Sequence, residues 1–169
     1  HNNLETSEKH FPNICTTHTF ADKVSAIQAA QRAGLTVCSG GIMGMGETMA
    51  DRIDMALSLR ELGITSVPVN VLNPIPGTPF GEYPTLSEAE VLRILALYRF
   101  LLPAASIRMA GGRGLLPDGG RSCFLSGANA AITGDMLTTA GITVQTYLQM
   151  LTELGYEVKL DETADDHRH

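Results

Sequence analysis

The chain has 169 residues, a length that predicts one hydrophobic core, with 44% hydrophobic and 18% charged residues. That composition excludes a disordered chain, and no apolar run approaches the roughly 20 residues that span a bilayer. A net charge of −6 excludes sequence-independent nucleic-acid binding, and three widely spaced cysteines, Cys15, Cys38 and Cys123, argue against a disulfide framework and for a reducing cytoplasm.

The N-terminus, His1 to Thr6, is polar and is not a signal peptide. Because it begins with His1 rather than Met, the chain is expected to be cut from something longer. The first predicted helix opens at Thr19, with Asp22 three residues on and Val24, Ile27 and Ala30 along one face. It exits at Ala33-Gly34, and a strand is predicted over Leu35 to Ser39. Thr48 with Asp51 opens a second helix, whose Ile53, Leu57 and Arg60 side continues to Leu62-Gly63, before a strand over Ser66 to Leu72. Ser87 with Glu90 makes a capping box and opens the most strongly striped helix, with Val91, Ile94, Leu95, Tyr98 and Leu101 on one side until Pro103 stops it. Two more strands are predicted over Ser106 to Ala110 and Ala128 to Thr133. Thr143 caps the last helix, with Val144, Tyr147, Leu148, Leu151 and Leu154 facing inward.

Gly34, Gly63 and Gly155 each stand where a left-handed residue would close a helix, and a β-prone segment follows each one. Short apolar segments between helices read as parallel strands, and a right-handed βα repeat of this spacing builds either a doubly wound sheet or part of a barrel. Residues 1–160 are predicted to form one domain and 161–169 a disordered tail.

Three of the strands carry a polar residue where a covered strand should be apolar: Cys38, Asn70 and Arg108. A guanidinium stays charged at physiological pH, so a buried Arg108 requires an anion. The glycine-rich run from Ser39 to Glu47 follows a strand and opens a helix, a setting in which backbone amides approach a ligand closely. Its spacing is neither the dinucleotide fingerprint nor the phosphate loop. A second cluster, Gly111-Gly112-Arg113-Gly114, follows the Arg108 strand. The histidines show no metal-ligand spacing, and no Ser–His–Asp or Cys–His set can be named from position alone.

At Cys38-Ser39-Gly40-Gly41-Ile42-Met43-Gly44-Met45-Gly46-Glu47 the chain closely resembles the biotin synthases, as it does at Asn3-Leu4-Glu5-Thr6-Ser7. The resemblance continues through Val67-Pro68-Val69-Asn70, Ile107-Arg108-Met109-Ala110-Gly111-Gly112-Arg113, Cys123-Phe124, Gly127-Ala128-Asn129 and Leu137-Thr138-Thr139. It implies a partial (β/α) TIM-type barrel with a parallel sheet, comprising the later strands and a C-terminal cap. It also implies sulfur insertion into dethiobiotin by radical chemistry on S-adenosylmethionine, with a 4Fe–4S and a 2Fe–2S cluster. By resemblance Cys38 and Arg108 are ligands of the 2Fe–2S cluster, and Asn3, Glu5, Lys23 and Ile42 contact S-adenosylmethionine. Asn3, Asn70 and Arg108 contact the substrate. The implied partners are dethiobiotin, an electron donor of the flavodoxin or ferredoxin type, and a second copy in a homodimer.

The sequence departs from that family in lacking the Cys-x-x-x-Cys-x-x-Cys loop of the radical-generating cluster and the first two cysteines of the smaller one. Chemistry by the chain alone is therefore not expected. The rival readings are another enzyme of the radical S-adenosylmethionine class, of the hydrogenase-maturation or thiazole-forming type, and a non-redox α/β binding module.

Overall fold

Four helix starts follow from local chemistry. Thr19, Thr48 and Ser87 each accept a hydrogen bond from the backbone amide three residues on, and Asp22, Asp51 and Glu90 accept one from the capping residue's own amide. Thr143 accepts from the amide of Thr146. The resulting helices are α1 (Phe20–Arg32), α2 (Met49–Glu61), α3 (Glu88–Leu101) and, after the short α4 (Arg121–Leu125), α5 (Val144–Glu153). At the exits of α1, α2 and α5, Gly34, Gly63 and Gly155 have φ of 80°, 66° and 79°. The next amide in each case reaches back to close the last turn: Leu35 to Ala30, Ile64 to Leu59 and Tyr156 to Leu151.

These elements belong to a computed structural model that describes residues 1–132 and 143–157. The chain divides into two compact units, His1–Ile132 and Thr133–His169. In the first, β1 (Gly41–Met43), β2 (Ser66–Val71), β3 (Ser106–Met109) and β4 (Ala130–Ala131) form a parallel sheet in the order β1-β2-β3-β4. A doubly wound sheet reverses direction at a switch point, whereas this order never does; it is the order of a (β/α) barrel segment. Val67, Val69 and Val71 of β2 and Ile107 and Met109 of β3 join Met55 and Leu59 of α2 and Ile94, Leu95 and Tyr98 of α3 in one buried core.

The first strand lies further along the chain than Leu35 to Ser39. Leu35 is exposed, Cys38 makes a single parallel bridge to Ser66, and the continuous strand begins at Gly41. The backbone passes so close to β2 that a Cβ at Gly40 would collide with the carbonyl oxygen of Pro68. The glycines therefore serve strand contact here, in addition to opening the loop that follows. On α2 the buried side is Arg52, Met55, Ala56 and Leu59, one residue round from the Ile53, Leu57 and Arg60 side, because the Arg52 charge is buried against Glu47 at 2.8 Å. The last predicted strand shortens to Ala130–Ala131, and Thr133, Leu137-Thr138-Thr139 and the tail 161–169 lie outside the described residues. On α5, Tyr147 is buried and Leu151 and Leu154 are half-buried. Val144 and Leu148 are exposed, because they sit roughly 60° and 100° round the helix from Tyr147.

The turn from α3 into β3 is held by Arg99. Its guanidinium donates to the carbonyls of Gly127 (2.8 and 3.0 Å), Ala105 (2.8 Å), Pro103 (3.0 Å) and Leu102 (3.4 Å). Arg99→Met retains the aliphatic stem and removes every one of these bonds. It is expected to cost about 1–3 kcal/mol, read as a lower urea midpoint with an unchanged slope; an unchanged midpoint would show that water replaces the guanidinium without penalty.

Candidate functional site

Parity along the strands places the polar residues together. In β2 and β3 the odd-numbered positions are buried against the helices, and the even-numbered Ser66, Asn70, Ser106 and Arg108 lie half-buried on the opposite face. The register pairs Cys38 with Ser66, Ser66 with Ser106, Pro68 with Arg108 and Ile42 with Asn70, so Cys38 and Ile42 share that face. The Arg108 guanidinium lies 3.7 Å, through Nη1, from the Cys38 Sγ. No carboxylate stands at ion-pair distance from Arg108 among the described residues.

Cys38, Asn70 and Arg108 do not lie at one height along the sheet. Cys38, Arg108 and Asn70 occupy three successive rungs, and β2 lies between the Cys38 segment and β3. The contact forms because a long arginine side chain leans back one rung over β2, which a shorter residue would not do. Asn70 is fixed by backbone on both sides of its amide. Its Nδ2 donates to the Gly41 carbonyl at 3.1 Å, and its Oδ1 accepts from the Gly111 amide at 2.9 Å. One N–H and one lone pair of that amide remain to face a ligand.

The N-terminal segment adds a second group beside β1. Glu5 pairs with Gly41 and adopts φ 71°, the one non-glycine residue of left-handed backbone among the described residues. A carboxylate side chain held there costs on the order of 1 kcal/mol, which the flanking ladder bonds, Glu5 amide to Gly40 carbonyl and Ile42 amide to Glu5 carbonyl, must offset. Asn3 accepts from the Gly40 amide at 3.1 Å through Oδ1 and donates to Glu5 Oε2 at 3.4 Å. Lys23 donates to Asn2 Oδ1 at 3.3 Å. Burial pushes the Glu5 carboxyl above its ordinary value, while the Lys23 charge and the Asn3 hydrogen bond pull it back. Asn3 and Glu5, together with Lys23 from α1, thus converge near the Gly40 end of β1, with Ile42 half-buried two residues on.

Sequence reasoning missed the polar frame beneath these residues. The buried Glu47 carboxylate accepts from the amides of Gly44 and Met45, each at 2.7 Å, and receives Arg52 at 2.8 Å, so the loop after β1 folds round an internal anion. Ser7 donates to Asp51 at 2.7 Å, and the His10 ring is 3.1 Å from the Met45 carbonyl. The available signal was Asp51 and Arg52 side by side in the first turn of a helix that packs against the core.

Among the described residues no group of three or more histidine, cysteine or acidic side chains could hold a metal ion, and no helix is long and apolar enough to cross a membrane. The profile of the Biotin and Thiamin Synthesis associated domain matches residues 68–157, more than half of the chain, with Asn70 and Arg108 inside the match. The chain belongs to that family. Similar relatives of this Biotin and Thiamin Synthesis associated chain include the biotin synthase of Brachyspira hyodysenteriae, 65% identical over 162 residues, which are 96% of this chain and 49% of that protein. The biotin synthase of Akkermansia muciniphila is 61% identical over 160 residues, 95% of this chain and 50% of that protein. The chain spans about half the length of the curated relatives it matches. Among solved structures, methylornithine synthase (PylB) superposes with a TM-score of 0.76 at 19% identity, over 94% of this chain and 51% of that one. HydG, a maturase of the FeFe-hydrogenase, gives 0.68 at 18% identity over 91% and 38%. These two likenesses are of fold, and they agree with a partial (β/α) barrel.

A guanidinium with no carboxylate partner contributes little to folding. Arg108→Leu is therefore expected to leave the thermal midpoint unchanged or raise it, and a loss of more than about 1 kcal/mol would make Arg108 a structural residue. Asp51 shows the opposite behaviour. Hydrogen bonds from Thr48 and Ser7 hold its carboxyl at about 2, well below the ordinary carboxylate value. A depressed folded-state value means that the stabilisation is present above pH 4 and is lost as pH falls towards 2. With solvent screening allowed for, it is worth on the order of 1 kcal/mol. Urea unfolding between pH 5 and pH 2 should show this slope in the parent and a shallower one in Asp51→Asn.

Proposed function

We propose that the chain is the C-terminal half of a biotin synthase and that the whole protein inserts sulfur into dethiobiotin by radical chemistry on S-adenosylmethionine. The observation that carries this reading is the 3.7 Å approach of Arg108 to Cys38 on a half-buried face with no neighbouring carboxylate among the described residues. The residues present fit a small anionic iron–sulfur group: a thiolate can ligate iron, and a cation beside it with no carboxylate partner among the described residues suits an anionic group. When bound, the 4Fe–4S group of the whole protein supplies the radical from S-adenosylmethionine, and the 2Fe–2S group supplies the sulfur.

The chain's own residues then bind and orient. Cys38 and Arg108 would be ligands of the smaller cluster, and Arg108 would also contact the substrate. Asn70, fixed by Gly41 and Gly111, offers its remaining donor and acceptor to the ureido ring of dethiobiotin. Asn3 and Glu5 take the ribose of S-adenosylmethionine, with Asn3 also touching substrate, while Lys23 balances the cofactor's carboxylate and Ile42 packs on its adenine. The remaining parts of the reading are an electron donor of the flavodoxin or ferredoxin type, a homodimer and a cytoplasmic setting.

Identity of 65% to a biotin synthase against 18% to the hydrogenase maturase favours this enzyme over the other radical types. It is tested in the whole protein by growth of a biotin-requiring bacterium without biotin. The parent should restore growth, Cys38→Ala should abolish it, and Asn70→Ala should raise KM for dethiobiotin about tenfold. Growth restored by Cys38→Ala would overturn the cluster assignment. The isolated chain, reconstituted anaerobically with iron and sulfide, is expected to form no 5′-deoxyadenosine above a protein-free control; formation there would remove the need for the missing cysteine loop.

A further inference from the structure

The segment between the N-terminal strand residues and α1 carries a thiol that the proposed chemistry does not use. Cys15 is half-buried at the end of the 3₁₀ turn Phe11–Asn13. Its Sγ is 3.3 Å from Nδ1 of His18 and 3.5 Å from the Thr17 hydroxyl. Backbone polarity at Thr17 and His18 also favours the anionic form of the sulfur. His18 is held in turn by the Thr17 hydroxyl at 3.0 Å and by edge-on contact with Phe11, ring centroids 5.6 Å apart. The sulfur thus has an imidazole able to take its proton and a hydroxyl able to stabilise the anion. It borders a cavity of about 500 Å³ lined by Phe11, Pro12, His18, Phe20 and Ala21, with room for a group joined to the sulfur.

We infer that Cys15 is a modification site, a nucleophilic thiolate that exchanges with small disulfides of the glutathione class. In the exchange the Cys15 thiolate attacks one sulfur of the disulfide, the Cys15–sulfur bond forms as the sulfur–sulfur bond breaks, and the other half leaves as a thiolate. No further oxidant is needed, and His18 accepts the proton released when the thiol ionises.

The surroundings support an anion at this position. Hydrogen bonding from the Thr17 side chain, then from backbone amides, lowers the Cys15 thiol from its ordinary value, with a smaller contribution from the Lys23 charge. Asp22 lies close to His18 and Glu8 lines the cavity, and these two carboxylates act against the thiolate. Cys123 is the internal contrast: burial pushes its thiol up to about 12.

The test uses the full chain with glutathione disulfide and, separately, iodoacetamide, with peptide mass mapping of each cysteine from pH 6 to pH 9. Cys15 is expected to react at least about threefold faster than free glutathione at pH 7, where a lowered thiol value gains thiolate but loses some intrinsic nucleophilicity, and far faster than Cys123. His18→Gln and Thr17→Val should each slow it and move the midpoint of its rate to higher pH, while in 6 M urea Cys15 and Cys123 should react alike. A Cys15 rate no greater than that of glutathione, rates unaffected by both substitutions, or alkylation without a mixed disulfide would each overturn the inference.

Discussion

The constraint on which the rest depends is the register of a parallel ladder. Val67, Val69 and Val71 face the helices together with Ile107 and Met109, and this apolar set leaves one register for β2 against β3. Every other position is then committed to the opposite face, which is how Cys38, Ile42, Asn70 and Arg108 come to share one surface. A slip of β3 by one residue would bury the guanidinium among helix side chains and expose Ile107 and Met109, a cost of several kcal/mol by area alone. The polar face is therefore a consequence of where the apolar residues must go. Gly40 tightens the arrangement, because only a residue without Cβ allows that segment to lie over the Pro68 carbonyl.

Local capping chemistry was the most legible part of the chain. A hydroxyl and a carboxylate three residues apart satisfy each other's backbone amides whatever surrounds them, so Thr19 with Asp22, Thr48 with Asp51 and Ser87 with Glu90 could be read without tertiary knowledge. Burial of charge was not legible in this way. The inward side of α2 includes Arg52 because Glu47, five residues earlier, waits in a loop whose amides already hold it; counting apolar residues turned that helix the wrong way. The extent of β1 was misread for a related reason, since glycines signal a loop locally but permit close strand contact in this sheet. Pro68 contributes no amide donor, a mark against a central strand, yet β2 has partners on both sides.

The polar residues of the site were legible as a set of anomalies, and their arrangement was not. An arginine in Ile107-Arg108-Met109 stands out in any apolar strand, but its reach across β2 to Cys38 depends on side-chain length and on rung offset, neither of which is written in spacing. The cluster at Glu5 depends on backbone geometry as well. Its φ of 71° breaks a steric preference that the flanking segment otherwise obeys. Violations of that kind tend to collect where a ligand has shaped the chain, and this one coincides with the convergence of Asn3, Glu5 and Lys23.

Asn70 and Arg108 show why stability and function should be separated at this face. The Asn70 amide donates to one strand and accepts from the turn after another, so it joins β1 to the Gly111 turn whether or not a ligand is present. Removing it disturbs the sheet edge and the binding surface together. Arg108 has no such anchoring among the described residues: its partner there is a sulfur at 3.7 Å, a weak acceptor at a long distance. A cation kept half-buried on those terms does little for the fold, and its position is explained by what it faces. The same reasoning sets Cys38 apart from Cys123. One thiol lies half-buried beside a cation, and the other is fully buried in the core with its thiol value raised, so of these two the more accessible sulfur is the one that the register places next to Arg108.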